Sequence, residues 1–168
     1  MAAVKKLAKI ETPPRVITME DIDLHGAIED AFRALEATTL MIDRVLDALQ
    51  EAKEIARLAS RADGRAKHVL LVHRYGELVE KITETLTALA KGPVASGNAA
   101  LAITLAQTGM VDEGLTLDLP ATMGSGAAEA RQTLMSLELA MRAAETYAGH
   151  FRDTARHLVD HRSQNTVH

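Results

Sequence analysis

Residues 28–59 read IEDAFRALEATTLMIDRVLDALQEAKEIARLA. In this run Ile28, Leu35, Ile42, Leu49 and Ala56 recur every seven residues, and Ala31, Thr38, Val45, Ala52 and Ala59 follow them by three. An apolar position every ~3.5 residues on average keeps one side of an α-helix turned to a neighbour along its whole length. Two helices bearing such seams lie side by side at a shallow angle. Phe32, Thr39 and Leu46 widen the stripe, which fits a helix with more than one neighbour. Upstream, Thr18-Met19-Glu20-Asp21 sets a hydroxyl three residues before a carboxylate, a start that resembles a capping box. Downstream, Ala62-Asp63-Gly64 is a turn signal.

Working outward, a second helix is predicted from about Arg65 to Ala90. Leu71, Tyr75, Leu78, Ile82 and Leu89 form its seam, flanked by Val72, Val79 and Leu86. Gly92-Pro93 ends it, because proline cannot continue a helix and constrains the residue before it. The short connection through Asp63-Gly64 makes the first two helices antiparallel neighbours. From about 96 to 124 the period shortens. Ala100–Ala106 and Leu115–Leu119 alternate in part, with Gly109 and Gly114 between them and Pro120 closing the second run. This predicts a small β-hairpin or two short extended segments. Gly124-Ser125-Gly126 reads as a flexible joint before a last helix, in which Ala130, Leu134, Leu137, Met141, Ala144, Ala148, Phe151, Ala155 and Leu158 step by four and three. The expected fold is mainly α: an elongated antiparallel bundle of three long helices with a β excursion at about 96–124. Residues 1–17, interrupted by Pro13-Pro14, form a tail, and 18–168 form one domain.

Composition agrees with that architecture. The chain has 168 residues, 47% hydrophobic and 25% charged, with two Tyr, two Phe and no Trp. Small and aliphatic side chains must therefore build the core, which suits closely packed helices. Lys plus Arg total 19 against 23 Asp plus Glu, a formal charge of −4, without the basic excess of a dedicated nucleic-acid binder. The absence of cysteine excludes disulfides, thiolate metal sites and cysteine nucleophiles. No apolar run reaches the length of a membrane span, and the N-terminus has no apolar core of a cleavable secretory signal.

Few residues invite chemistry. His157 and His161 stand one helical turn apart, with Asp153 and Asp160 nearby and His150 two turns back. Such a pair can share Zn²⁺ or Ni²⁺ if further ligands arrive from a second element. Leu158 occupies the place where the H-E-x-x-H protease signature needs its glutamate, and the plain alternative is a solvated helix face. His68 and His73 diverge by ~140° around a helix of 3.6 residues per turn. Asp21/Asp23 and Glu29/Asp30 lie near a predicted helix start, where the helix dipole accounts for them. Gly124-Ser125-Gly126 lacks the Lys-Ser/Thr of a P-loop, and Ser125 lacks the G-x-S-x-G elbow of a nucleophile. Lys5, Lys6, Lys9 and Arg15 form a short basic tail. The seven methionines suit either core filling or an adaptable surface. No catalytic residue, metal, cofactor or small-molecule substrate is expected.

Several of these stretches resemble bacterial flagellins and hook–filament junction proteins, specifically their helical inner-rod domain. Ala34-Leu35, Met41-Ile42-Asp43, Leu46, Leu49-Gln50 and Lys53-Glu54-Ile55-Ala56 follow the rhythm of that family's long helix. Tyr75, Leu78, Val79, Glu80 and Ile82 follow its E-Y-x-x-L-x-x-E-I helix, and Thr116-Leu117-Asp118-Leu119 is similar to the strand that closes its hairpin. Ala130, Thr133-Leu134, Leu137, Ala140-Met141 and Thr146-Tyr147-Ala148-Gly149 resemble its C-terminal helix. The likeness covers roughly 24–160. It departs at the family's F-N-G turn, where Ala90-Lys91-Gly92 or Ser96-Gly97-Asn98 stands instead. It departs also at both ends, where the family carries further helices that build the filament core. The resemblance implies a non-catalytic structural or assembly protein of the flagellum. Its partners would be other flagellin-like subunits or flagellar proteins, and it would be exported through the flagellar channel. Without the terminal core helices, ordinary polymerisation by this chain alone is not expected. The competing expectation is a cytoplasmic helical-bundle adaptor or regulator that binds a partner's amphipathic helix.

Overall fold

A computed structural model describes residues 19–90 and 114–166, with side chains over 26–90, 114–160 and at 163 and 164. Three helices make up the described fold: α1, Met19–Ala59; α2, Arg65–Ala90; and α3, Ala127–Thr166. At 1.5 Å rise per residue α1 and α3 are each about 60 Å long. α1 lies in the middle and packs on both α2 and α3, which do not pack directly on each other.

The central position explains the broad seam of α1. Leu35, Ile42, Leu49 and Ala56 are buried, as are Ala31, Thr38, Val45, Ala52 and Ala59. Ala34, Ala48 and Ile55 add a second buried row, and Phe32, Thr39 and Leu46 are half-buried beside them. A helix between two others must bury about half its circumference. Alanine on the inner rows lets both neighbours come close. Thr38 is tolerated at a fully buried position because its hydroxyl donates to the Ala34 carbonyl at 2.7 Å, leaving no unsatisfied polar atom. Thr154 of α3 does the same to His150 at 2.8 Å.

Both neighbours run antiparallel to α1. Near its N-terminal end Ala31, Ala34, Leu35 and Ile42 cluster with Ala148, Phe151 and Leu158 of α3. The C-terminal half from Val45 to Ala59 clusters with Ala130 and Leu137 of α3 and with Tyr75, Leu78 and Ile82 of α2. Ion pairs cross in the same register, Glu51–Arg74 at 2.7 Å and Lys53–Glu138 at 3.6 Å. α1 ends by tightening, with Arg61 N–H donating to Leu58 and Ala62 N–H to Ala59. Gly64 then takes a positive φ of 111°, open to glycine at little cost. Its carbonyl accepts the His68 N–H, the first bond of α2.

The expected hairpin is not supported. Among the described residues there is no strand, and Gly114–Pro120 is a single extended stretch; the first expected arm, 100–106, lies outside the described residues. Leu115, Leu117 and Leu119 do alternate inward, half-buried against the core, with Thr116 and Asp118 exposed. Among the described residues their apolar partners are the helices. The stretch precedes α3 in the chain and packs on the core that the three helices share. Thr18 and the tail 1–17 also lie outside the described residues.

Candidate functional site

The most elaborate polar construction is the seat of the segment 114–126. Tyr75, fully buried on the seam of α2, donates its hydroxyl to the Pro120 carbonyl at 2.8 Å. Two turns earlier on α2, the His68 ring Nε2 lies 3.0 Å from the Gly124 carbonyl. Met123, between these two clasps, is 2% exposed and joins the core. Burial pushes the Tyr75 phenol up to about 12, since a low-dielectric surrounding disfavours the phenolate. A phenol held neutral, with its proton committed to a carbonyl, is a structural tie and not a poised acid.

The Gly124-Ser125-Gly126 stretch is fixed by α3 itself, which corrects its reading as a flexible joint. The Gly126 N–H donates to the Glu129 carboxylate, and the Gly126 carbonyl accepts the Ala130 N–H at 3.0 Å. Glu129 is thus the returning arm of a capping box, with glycine at the cap. A Cβ on Gly124 would sit 2.7 Å from the Glu129 Cβ, and one on Gly126 would sit 2.8 Å from its carboxylate oxygen. Both glycines make room for that side chain. An anion already occupies this helix N-terminus, and it is the chain's own. Ser125 is exposed beside it.

The remaining sequence candidates do not converge. His157 and His150 are exposed on α3, and the side chain of His161 lies outside the described residues. Asp153 pairs with Arg156 at 3.5 Å. Among the described residues no three His, Asp or Glu side chains gather as a metal site. His73 is exposed beside Glu77 at 3.6 Å, turned away from His68. Asp30 pairs with Arg33 at 3.6 Å; the side chains of Asp21 and Asp23 lie outside the described residues, as do Lys5, Lys6, Lys9 and Arg15. Of the methionines, Met123 is buried, Met41 and Met141 are half-buried, and Met135 is 67% exposed.

Two shallow grooves flank the extended stretch. One, of about 550 Å³, opens between Leu115-Thr116 and the Arg142, Thr146, Tyr147 and His150 side of α3. The other, of about 190 Å³, lies between Leu117-Asp118 and Ser136 and Leu139. Both open broadly to solvent, and Arg142 and His150 at the first are exposed. Water screens charges in such a place, so neither groove offers the desolvated polar cluster that catalysis uses. No described helix is long and apolar enough to cross a membrane.

Sequence reasoning missed the two clasps and the Glu129 cap. The cap has a local signature, Gly-x-x-Glu ahead of an apolar run. The clasps join residues 45 and 56 positions apart and have none. No protein-family model, curated protein or solved structure matches this chain.

Proposed function

We propose that this chain is a flagellin-like structural or assembly protein that works by packing its rod against other flagellar subunits, with no reaction of its own. The observation that supports the reading best is the order of elements around the core. A long heptad helix is followed by the Tyr75 helix, then by the extended Thr116-Leu117-Asp118-Leu119 run packed on the shared core, then by an alanine-rich helix antiparallel to the first. That order follows the resemblance seen in the sequence. On this reading the polar ties at Tyr75, His68 and Glu129 hold the rod's shape, and recognition falls to its outer helix faces. Export through the flagellar channel and a place in the filament or at its junctions belong to the same proposal.

The test is co-assembly. Purified chain is mixed with full-length flagellin under polymerising conditions, and filaments are pelleted. The proposal expects the chain in the pellet at a saturable ratio. Its retention in the supernatant, as a monomer, would overturn the proposal and favour the adaptor reading.

A further inference from the structure

We propose that the outer face of α3 at Arg131, Met135, Leu139 and Arg142 docks on the outer face of α1 at Glu36, Leu40, Asp43 and Asp47 of a second copy of this chain. The inference rests on the rod-packing reading and names the surfaces that would carry it. Met135 and Leu139 are each 67% exposed and Leu40 is 56% exposed, so three large apolar side chains stand in water with no core to serve. Their placement is systematic. Met135 precedes the fully buried Ala144 by nine residues, as Leu40 precedes the fully buried Leu49. Nine residues at 3.6 per turn is two and a half turns, so both side chains point directly away from the core.

The flanking charges are opposite. Arg131 and Arg142 bracket the pair on α3, and Glu36, Asp43 and Asp47 surround Leu40 on α1, all of them exposed. Glu138, at the margin of the α3 stripe, is engaged with Lys53, and Arg44 lies at the margin of the acidic stripe. Each stripe spans eleven residue steps, about 16 Å of helix, so apolar meets apolar while charge meets countercharge. Within one chain the two stripes cannot meet, because the buried faces of α1 and α3 are already packed together. The contact is therefore between copies and joins two different patches. Such head-to-tail pairing leaves a free patch at each end and propagates instead of closing. An area this small falls well below the ~800 Å² per partner of a stable complex. The association is weak, and salt weakens it further, since charges are screened over ~8 Å at physiological ionic strength.

The test uses sedimentation velocity of the full chain at millimolar concentration and low salt, with two charge-reversed variants. One carries Arg131→Glu and Arg142→Glu; the other carries Asp43→Lys and Asp47→Lys. Wild type is expected to form concentration-dependent species beyond the dimer that dissolve in added salt. Each variant alone is expected to remain monomeric with unchanged helical circular dichroism. An equimolar mixture pairs the two reversed patches with each other and the two native patches with each other, so it is expected to associate beyond the dimer as the wild type does. A monomeric wild type, or variants that associate as the wild type does, overturns the pairing. A chain that is monomeric alone yet joins flagellin filaments sinks this inference and leaves the proposed function standing. Charge-dependent self-association without co-assembly does the reverse.

Discussion

Replacing Tyr75 by phenylalanine removes one oxygen from the centre of the seat that holds the segment 114–126. The ring remains buried at 0% exposure, so packing is conserved, while the 2.8 Å bond to the Pro120 carbonyl is lost. The net value of such a bond is ~1 kcal/mol, and leaving its buried partner unsatisfied costs ~1–3 kcal/mol. Tyr75→Phe is therefore expected to destabilise the fold by about 1–2 kcal/mol at pH 7, measured by urea unfolding at 222 nm. In thermal unfolding this is a fall of roughly 3–8 °C for a chain of this size. The pH dependence gives a second readout. The folded phenol is pushed up to about 12, whereas an unfolded tyrosine ionises near ~10. Above the unfolded value the unfolded chain has released a proton that the folded chain retains, so stability falls as pH rises. The advantage of tyrosine is complete below about pH 10 and is lost as pH climbs through 12. The wild-type and phenylalanine curves should converge over that window, with Tyr147 common to both. A variant as stable as wild type at pH 7, with a parallel pH profile, would refute the clasp.

Other expectations follow from burial and capping. Leu49→Ala, at the fully buried centre of α1, should cost ~2–5 kcal/mol, whereas Leu40→Ala on the exposed face should stay within ~0.5 kcal/mol of wild type, both read by urea midpoint. Glu129→Ala should cost ~0.5–2 kcal/mol through the lost cap. Gly124→Ala should be destabilising in wild type but much less so beside Glu129→Ala, because the clash is with that side chain; additive effects in the double-mutant cycle would refute the arrangement. Calorimetric titration with Zn²⁺ should give the same heat for wild type and for the His157→Ala/His161→Ala variant, and a saturable excess in the wild type would establish a metal site.

The sequence revealed the helices because their constraint is periodic. α1 buries the same rows turn after turn, so thirty residues repeat one message. Arg65 and Ala90 were legible as the limits of α2 from Gly64 before it and Gly92-Pro93 after it. The stretch Leu115–Leu119 is extended with one side inward, as its alternation implied, and the described residues give no support to its being half of a hairpin. Alternation reports which side chains are buried, not what the backbone carbonyls bond to. Here Pro120 and Gly124 are served by Tyr75 and His68 of α2. The outer stripes at Met135 and Leu40 were passed over for a related reason: an isolated exposed leucine is ordinary. Only a folded structure shows that two such sites point directly away from the core.

The arrangement of α1 between two antiparallel partners is tested most directly by pulsed electron spin resonance, for which the absence of native cysteine allows clean labelling. A label at position 33 is paired with one at 156 in one sample and with one at 131 in another. The antiparallel rod predicts a short 33–156 separation and a 33–131 separation of roughly 40 Å or more, since 25 residues of α3 lie between its two label sites at 1.5 Å each. Reversed distances, or broad distributions in both samples, would contradict the rod and the function built on it.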